Sequence, residues 1–300
     1  MPESLATQAA YSAGYGGCSR PSIFGFKTSQ LGDTIIETGY CTHIGGRKAA
    51  NEDSIFLTPS QISPVKINTR GLLWSVADGI GGHNGGKIAS ELACRALNAY
   101  YNRPLAEKGE ADARMLGRHL TETVIRIDRL VRLRGASNEQ LAHMGTTLSC
   151  LLIAGRHTVI AHVGDSRIYR WRRGRLTCLT TDHTFVQEMI FEGEVNAENA
   201  QSHPLRNLLT HVVGTAEPLS YVQDRIDPLQ TSDRFLLCTD GLHHVVGDHN
   251  LAAIMASETD AGQAARKLVD AALKRRTQDN VTALVVALRG DHGSHGNQSN

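Results

Sequence analysis

Residues Ser75–Gly86 read SVADGIGGHNGG: an apolar run ends on one carboxylate, Asp78, and five glycines follow within the next eight residues. Glycine costs backbone entropy, and a tight turn needs only one or two. The excess therefore points to something that must approach this backbone closely. The same punctuation recurs along the chain. TVIAHVGD ends on Asp165, RFLLCTD ends on Asp240, and Asp279 stands directly ahead of NVTALVVAL. A single Asp beside a strand is ordinarily a turn or cap residue. Four of them at the mouths of strongly apolar strands ask for a common purpose.

Carboxylates brought together raise one another's pKa unless a cation holds them. Oxygen donors favour Mg²⁺ or Mn²⁺, and the absence of CxxC and HExxH patterns argues against zinc. The glycines then have a use, because a backbone carbonyl such as that of Gly79 can reach an ion. Glu52 and Asp53, in AANEDSIF, are either a solvated strand start or further acids at the same place.

The apolar fraction of 41% over 300 residues suits one large domain or two small ones. A formal net charge of +1 gives no global field for nucleic acid or an anionic membrane, so any anion site is local. The N-terminal residues carry neither a basic opening nor an apolar core, and the longest apolar runs are strand-sized. The six cysteines, Cys18, Cys41, Cys94, Cys150, Cys178 and Cys238, are scattered and read as buried thiols. Together these features predict a cytoplasmic protein.

Strand-like runs are DSIFLT, LLWSVAD, TTLSCLLIA, TVIAHVG, RIYRW, RFLLCTD and VTALVVAL; RIYRWRRGRLTCLT reads as a hairpin turning at Gly174. Leu116, Leu120, Val124, Ile127 and Val131 recur at helical spacing and predict a helix from Asp112 to Arg134. KIASELACRALNAYY and AGQAARKLVDAALKRR predict two more. Strands in runs and helices in pairs predict an α+β fold with antiparallel sheet. Residues 1–35 read as a divergent or flexible extension, 36–289 as the domain, and 290–300 as a disordered tail. The polar stretch 182–214 is either a surface excursion or a substrate-facing flap.

In order, NEDS, VADGIGGHNGG, GTTL, AHVGDSRIYR, LTTDHT, HPLRNLLTHVVG, LLCTDGL and DNVTALVV span about Gly45 to Leu288. This series resembles the metal-dependent protein serine/threonine phosphatases of type 2C, in their bacterial branch. The resemblance implies an αββα four-layer sandwich of two antiparallel β-sheets flanked by helical pairs, with a two-metal centre at one edge. It implies that Asp78 bridges two Mn²⁺ or Mg²⁺ ions, that Gly79 offers its carbonyl, and that Asp240 and Asp279 complete the ligands. Glu52 would act through metal-bound water, and Asp165 would serve a third, weaker site. The implied reaction is hydrolysis of phosphoserine and phosphothreonine monoesters by a metal-bridging hydroxide. Phosphorylated proteins would be the substrates and a bacterial Ser/Thr kinase the opposing partner, with the enzyme a monomer that binds neither nucleic acid nor membrane.

Two departures accompany the resemblance. The phosphate-binding arginine of the family falls at Lys48, with Arg47 beside it, and lysine lacks the bidentate fork. Ile80 stands where some relatives carry a histidine acid catalyst; His83 reads as a loop histidine, so the leaving-group proton is unassigned. The basic tip RWRRGR, around Trp171, reads as a solvated hairpin. Two alternatives remain open: another two-metal phosphohydrolase, and a phosphopeptide-binding pseudoenzyme, the latter disfavoured by the intact acids.

Overall fold

The structure is a computed structural model and describes residues 7–11, 22–81, 84–105, 112–200 and 203–289. His83, Cys18 and the expected tail lie outside the described residues. In chain order come strands β1 (Thr7–Tyr11), β2 (Ser22–Leu31), β3 (Thr34–His43) and β4 (Asp53–Leu57), helix α1 (Pro64–Arg70) and strand β5 (Leu72–Ile80). Helices α2 (Gly85–Ala96), α3 (Ala99–Asn102) and α4 (Ala113–Ala136) follow. Next are β6 (Gly145–Thr146), β7 (Leu148–Ala154), β8 (His157–Val163), β9 (Arg167–Arg172) and β10 (Arg175–Cys178). Helices α5 (Phe185–Phe191) and α6 (Ala197–Ala200) precede β11 (Gln223–Pro228) and β12 (Arg234–Cys238). Helices α7 (Asp240–Val246), α8 (Asp248–Ser257) and α9 (Ala261–Lys274) lead to β13 (Val281–Arg289).

The strands form two antiparallel sheets, one ordered β1-β2-β3-β13-β12-β9-β10 and the other β11-β8-β7-β5-β4, with β6 paired to β5. The side-chain period of two explains the layers. Leu72, Trp74 and Val76 of β5 meet Phe235 and Leu237 of β12 and Leu284 and Val286 of β13 between the sheets. The alternate residues Leu73 and Ala77 face α2 and α4, while Leu236, Ala283 and Val285 face α7, α8 and α9. Strands buried on both faces read as continuous apolar runs, which is why these were legible in sequence. Each buried Leu, Ile, Val or Phe contributes about 1.5–3 kcal/mol relative to exposure. Trp74 also donates from Nε1 to Thr38 Oγ1 across the sandwich at 2.9 Å.

Local signals account for the helix ends. Asp112 caps α4 by accepting the Met115 N–H at 2.7 Å, and Asp260 accepts from Gln263 N at 2.7 Å at the start of α9. The expected single helix over KIASELACRALNAYY is two, α2 and α3, because Leu97 and Asn98 make tighter bonds back to Cys94 and Arg95. The hairpin turns at Arg173 and Gly174, both at positive φ (50° and 77°), as a two-residue turn that matches strand twist demands. Two of its arginines are structural, since Arg172 holds Asp233 and Arg170 lies 3.6 Å from Asp227, whereas Arg173 and Arg175 are exposed. Four of the described cysteines are buried and Cys178 is half-buried, none in a disulfide. No helix among the described residues is long and apolar enough to cross a membrane.

Within residues 1–35, expected as a divergent or flexible extension, 7–11 and 22–31 are strands of the first sheet. Ser22–Leu31 is a full ten-residue strand, paired along its length with β3. Its composition misleads because it lies near the sheet edge, where one face is half-solvated and Lys27, Ser29 and Gln30 dilute the apolar alternation. Phe24 nevertheless packs on the α9 layer, under the Arg266 guanidinium.

The stretch 182–214 stands between β10 and β11 as α5, α6 and turns. His183 and His211 of this stretch line up with His162 of β8 in a file with ring centroids 4.8 and 5.1 Å apart, ending at Tyr221. Burial pushes His162 down to about 4 and His183 down to about 3, the neighbouring imidazoles adding to the latter. An unfolded histidine titrates near ~6.5. The stability these rings contribute is therefore complete above that value and is lost as pH falls towards 4. Urea midpoints should fall more steeply between pH 6.5 and 4 in the wild type than in His162→Gln. Parallel curves would contradict this.

Candidate active site

The glycines of the opening stretch fit two backbones against each other. The end of β5 crosses the first turn of α2 so closely that a Cβ on Gly79 would lie 2.1 Å from the Gly86 carbonyl oxygen. A Cβ on Gly86 would in turn lie 2.7 Å from the Gly79 carbonyl and 2.9 Å from Glu52 Oε1. Gly79 N–H donates to the Glu52 carbonyl at 3.2 Å, and the Glu52 carboxylate accepts from the backbone of Lys87. Strand end, helix start and the acid of β4's approach thus share one small volume.

Asp78 is fixed through its backbone. Its N–H donates to Thr147 Oγ1 at 2.8 Å, and its carbonyl accepts from Thr146 Oγ1 and Thr147 N, both at 2.9 Å. Thr147 Oγ1 is linked to Ser166 Oγ at 2.7 Å, beside Asp165. The GTT motif is therefore a brace on the Asp78 backbone that leaves its carboxyl facing that of Asp240.

Asp53 lies directly opposite Asp78 in the β4–β5 ladder. Its Oδ2 accepts from Thr239 Oγ1 at 2.9 Å and Thr282 Oγ1 at 2.6 Å, residues of the other sheet's end. Asn280, 1% exposed, accepts the Glu52 N–H at 2.8 Å and donates to the Ile44 and Ala50 carbonyls at 2.9 and 3.0 Å. These bonds close the sandwich at one edge, where the loop carrying Lys48 meets the acids.

Lys48 Nζ lies 2.7 Å from Asp279 Oδ1. Burial would lower its pKa, but the bond to Asp279 and the charges of Asp78 and Glu52 outweigh it and hold the ammonium above its usual value. Arg47 is exposed, and its backbone N–H pairs with the Gln278 carbonyl. Burial raises the carboxyls of Asp78, Asp165 and Asp240, and neighbouring acids raise them further: Asp53, Asp240 and Asp165 act on Asp78, and Asp240 acts on Asp165. Asp53 is pushed up to about 7, mainly by burial and then by Asp240 and Asp279 against its threonine bonds.

Oδ1 of Asp53 and Oδ1 of Asp240 are buried without a hydrogen-bond partner. A buried, unpartnered carboxylate oxygen is expensive unless a cation meets it. Among the described residues no three Asp, Glu, His or Cys side chains converge as they would around one ion. Hard divalent cations that retain several waters take only one or two carboxylates each. The donor set, oxygen throughout with two unpartnered oxygens, fits such cations.

Next to Asp240 opens a cleft of about 500 Å³, whose lining includes Arg206 and Asn207 of the 182–214 stretch, and His244 and Val245 of α7. His244 Nδ1 is 3.6 Å from Asp240 Oδ2, so the cleft adjoins the acids. The stretch is rooted at its start by Asp182, which takes a bidentate grip from Arg167 at 2.8 and 2.7 Å.

Of the residues expected from sequence, Asp78, Asp240, Asp279, Glu52 and Gly79 come together, with Lys48 facing them. Asp165 reaches the group from the β8–β9 turn. Asp53, Thr147 and Asn280 belong to it as well, although the sequence argument gave the last two no role. Their signal was adjacency: each neighbours an acid or its motif in NEDS, GTTL and DNVT.

A model of the family "Protein phosphatase 2C" matches residues 47–288. A serine/threonine phosphatase of Listeria monocytogenes, Stp, is 35% identical over 211 residues, covering 70% of this chain and 82% of that protein. The structure of the Mycobacterium tuberculosis serine/threonine phosphatase PstP is similar with a TM-score of 0.73 at 30% identity, over 85% of this chain and 99% of that one. A structure of the PstP catalytic domain in complex with two manganese ions gives a TM-score of 0.70 at 29% identity, over 85% of this chain and 99% of that one.

Proposed function

The chain belongs to the protein phosphatase 2C family and is a protein serine/threonine phosphatase, and from that premise we propose that its acid cluster is a divalent-cation centre that hydrolyses phosphoserine and phosphothreonine. The observation that carries this is the gathering of Asp53, Asp78, Asp165, Asp240 and Asp279 at one sandwich edge, with two buried oxygens unpartnered. Asp78, the Gly79 carbonyl, Asp240 and Asp279 would hold two Mn²⁺ or Mg²⁺ ions, Glu52 would act through water, and Asp165 would serve a third. Bound there, such ions would make water more acidic and neutralise phosphoryl oxygens.

The chain's own residues do the rest. Thr146 and Thr147 keep Asp78 from rotating with its strand end. Asp53, anchored by Thr239 and Thr282, sets a second carboxyl opposite it. Lys48, bonded to Asp279 and at the outer side of the acids, meets the phosphate as a point charge. The substrate's flanking residues would lie along the cleft beside Asp240. Such an enzyme opposes a Ser/Thr kinase acting on the same proteins.

The test is hydrolysis of a phosphothreonine peptide and of a phosphodiester, each with Mn²⁺ and after chelation. The peptide alone should be cleaved, and only with metal; a diester preference would move the chain to a different two-metal reaction. Lys48→Ala should raise KM for the peptide about tenfold, and Arg47→Ala should change it less. The reverse order would transfer the phosphate contact to Arg47.

A further inference from the structure

Asp128 sits on the inner side of α4, 1% exposed, between the buried apolar residues Val124, Ile127 and Val131. Both of its oxygens are committed outside the helix core. Oδ1 accepts the Gly214 N–H at 2.9 Å, and Oδ2 accepts the Leu219 N–H at 3.3 Å. Arg132, one turn on, donates from Nε to Oδ2 at 3.0 Å and supplies the balancing charge. Gly214 and Leu219 belong to the strap that leaves the 182–214 stretch and returns to β11.

The strap then reaches the acids. Val213, next to Gly214, exchanges both backbone bonds with Thr146, N–H to carbonyl at 2.9 and 3.0 Å. Thr146 in turn holds the Asp78 carbonyl. In the other direction the strap continues back through Thr210, whose N–H donates to the His183 carbonyl, to Arg206 and Asn207 on the cleft wall. Gly214 itself takes φ 96°, and a Cβ there would lie 2.2 Å from Val131 Cγ1, so the strap is pressed onto α4 at this point. An apolar residue at 128 would leave two backbone donors buried and Arg132 unbalanced.

We propose that Asp128 is a positioning residue for substrate: by fixing the exit strap of the 182–214 stretch, it sets where the cleft wall of Arg206 and Asn207 stands relative to the acid cluster. With Arg167–Asp182 at the entry, the stretch is clamped at both roots. The inference rests on the phosphatase reading of the neighbouring acids. It separates two kinds of substrate. A small aryl phosphate meets only the acids and Lys48, whereas a phosphopeptide also needs the wall.

The experiment compares wild type, Asp128→Asn and Asp128→Ala with p-nitrophenyl phosphate and a phosphothreonine peptide in Mn²⁺, alongside amide hydrogen exchange without substrate. Asn keeps an acceptor for Gly214 but presents an NH₂ to Leu219 and Arg132. Losing one or both buried acceptors should raise KM for the peptide about tenfold, more in Ala than in Asn. Turnover of the aryl phosphate should stay within about twofold, since its contacts are untouched. Exchange at Gly214, Leu219 and residues 206–212 should quicken, while that of Val213, held separately by Thr146, and of β12 and β13 does not. Equal losses on both substrates, an unchanged peptide KM in a folded variant, or unaltered exchange in the strap would each overturn the proposal. Should the wild type leave the peptide intact, the phosphatase reading fails instead, and exchange alone decides the clamp.

Discussion

Asp240→Asn is expected to reduce metal-dependent turnover of a phosphopeptide by about a thousandfold, since a cation's charge stabilisation of several kcal/mol is at stake. The shape of the side chain is kept and one negative charge is lost. Burial raises the Asp240 carboxyl above its usual value, with Asp279 adding to it against the opposing pull of His244, Asp78 and Lys48, so the folded state without metal gains little from the charge. Thermal melts in chelator should be equal for the two proteins or slightly higher for the variant. Added Mn²⁺ stabilises a protein that binds it by an amount set by concentration over Kd. That upward shift in Tm should be present in the wild type and nearly absent in Asp240→Asn. Turnover within tenfold of wild type, or an undiminished Mn²⁺ shift, would remove Asp240 from the centre.

Gly79→Ala has the second large effect, by a different route. The added methyl would sit 2.1 Å from the Gly86 carbonyl oxygen and 2.8 Å from that of Glu52, both backbone atoms unable to swing aside. Either the β5 end or the first turn of α2 must move. Overpacking of this kind costs about 1–3 kcal/mol, and the displacement falls on the residue next to Asp78. A lowered urea midpoint together with an activity loss of about a hundredfold or more per folded molecule is expected, given the sensitivity of bound geometry to shifts near 1 Å. An alanine variant with wild-type midpoint and turnover would show that the crossing is looser than it looks.

Much of this was legible in the sequence because the informative strands are buried on both faces. RFLLCTD and VTALVVAL announce themselves, and the acid at the end of each marks the edge where the chemistry gathers. What escaped has a broken apolar pattern: β2, where Lys27, Ser29 and Gln30 dilute the alternation, β3, buried over Thr38–Cys41 but written with Thr, Gly and Glu among its apolar residues, and β11, which carries Asp224, Arg225 and Asp227 on the opposite sheet's edge. At the site, residues that present a charge were found, and residues that hold others in place were not. Thr147 and Asn280 act through backbone partners far away in sequence, Asp78 and Glu52 respectively. No periodicity encodes such a bond. Asp53 fell between the two cases, since only the ladder register shows that it faces Asp78.

The position of β13 sets a limit on when the enzyme can exist at all. It is the last described strand in sequence, yet in space it lies in the middle of its sheet, between β3 and β12. Asp279 and Asn280 precede it, and its Thr282 reaches across to Asp53. A nascent chain that has not yet been synthesised to this strand has a sheet split in two, and an acid cluster missing both Asp279 and the threonine that anchors Asp53. With Asp279 in the proposed cation centre, phosphatase activity is expected to arrive only with the long-range closure that seats β13 between β3 and β12.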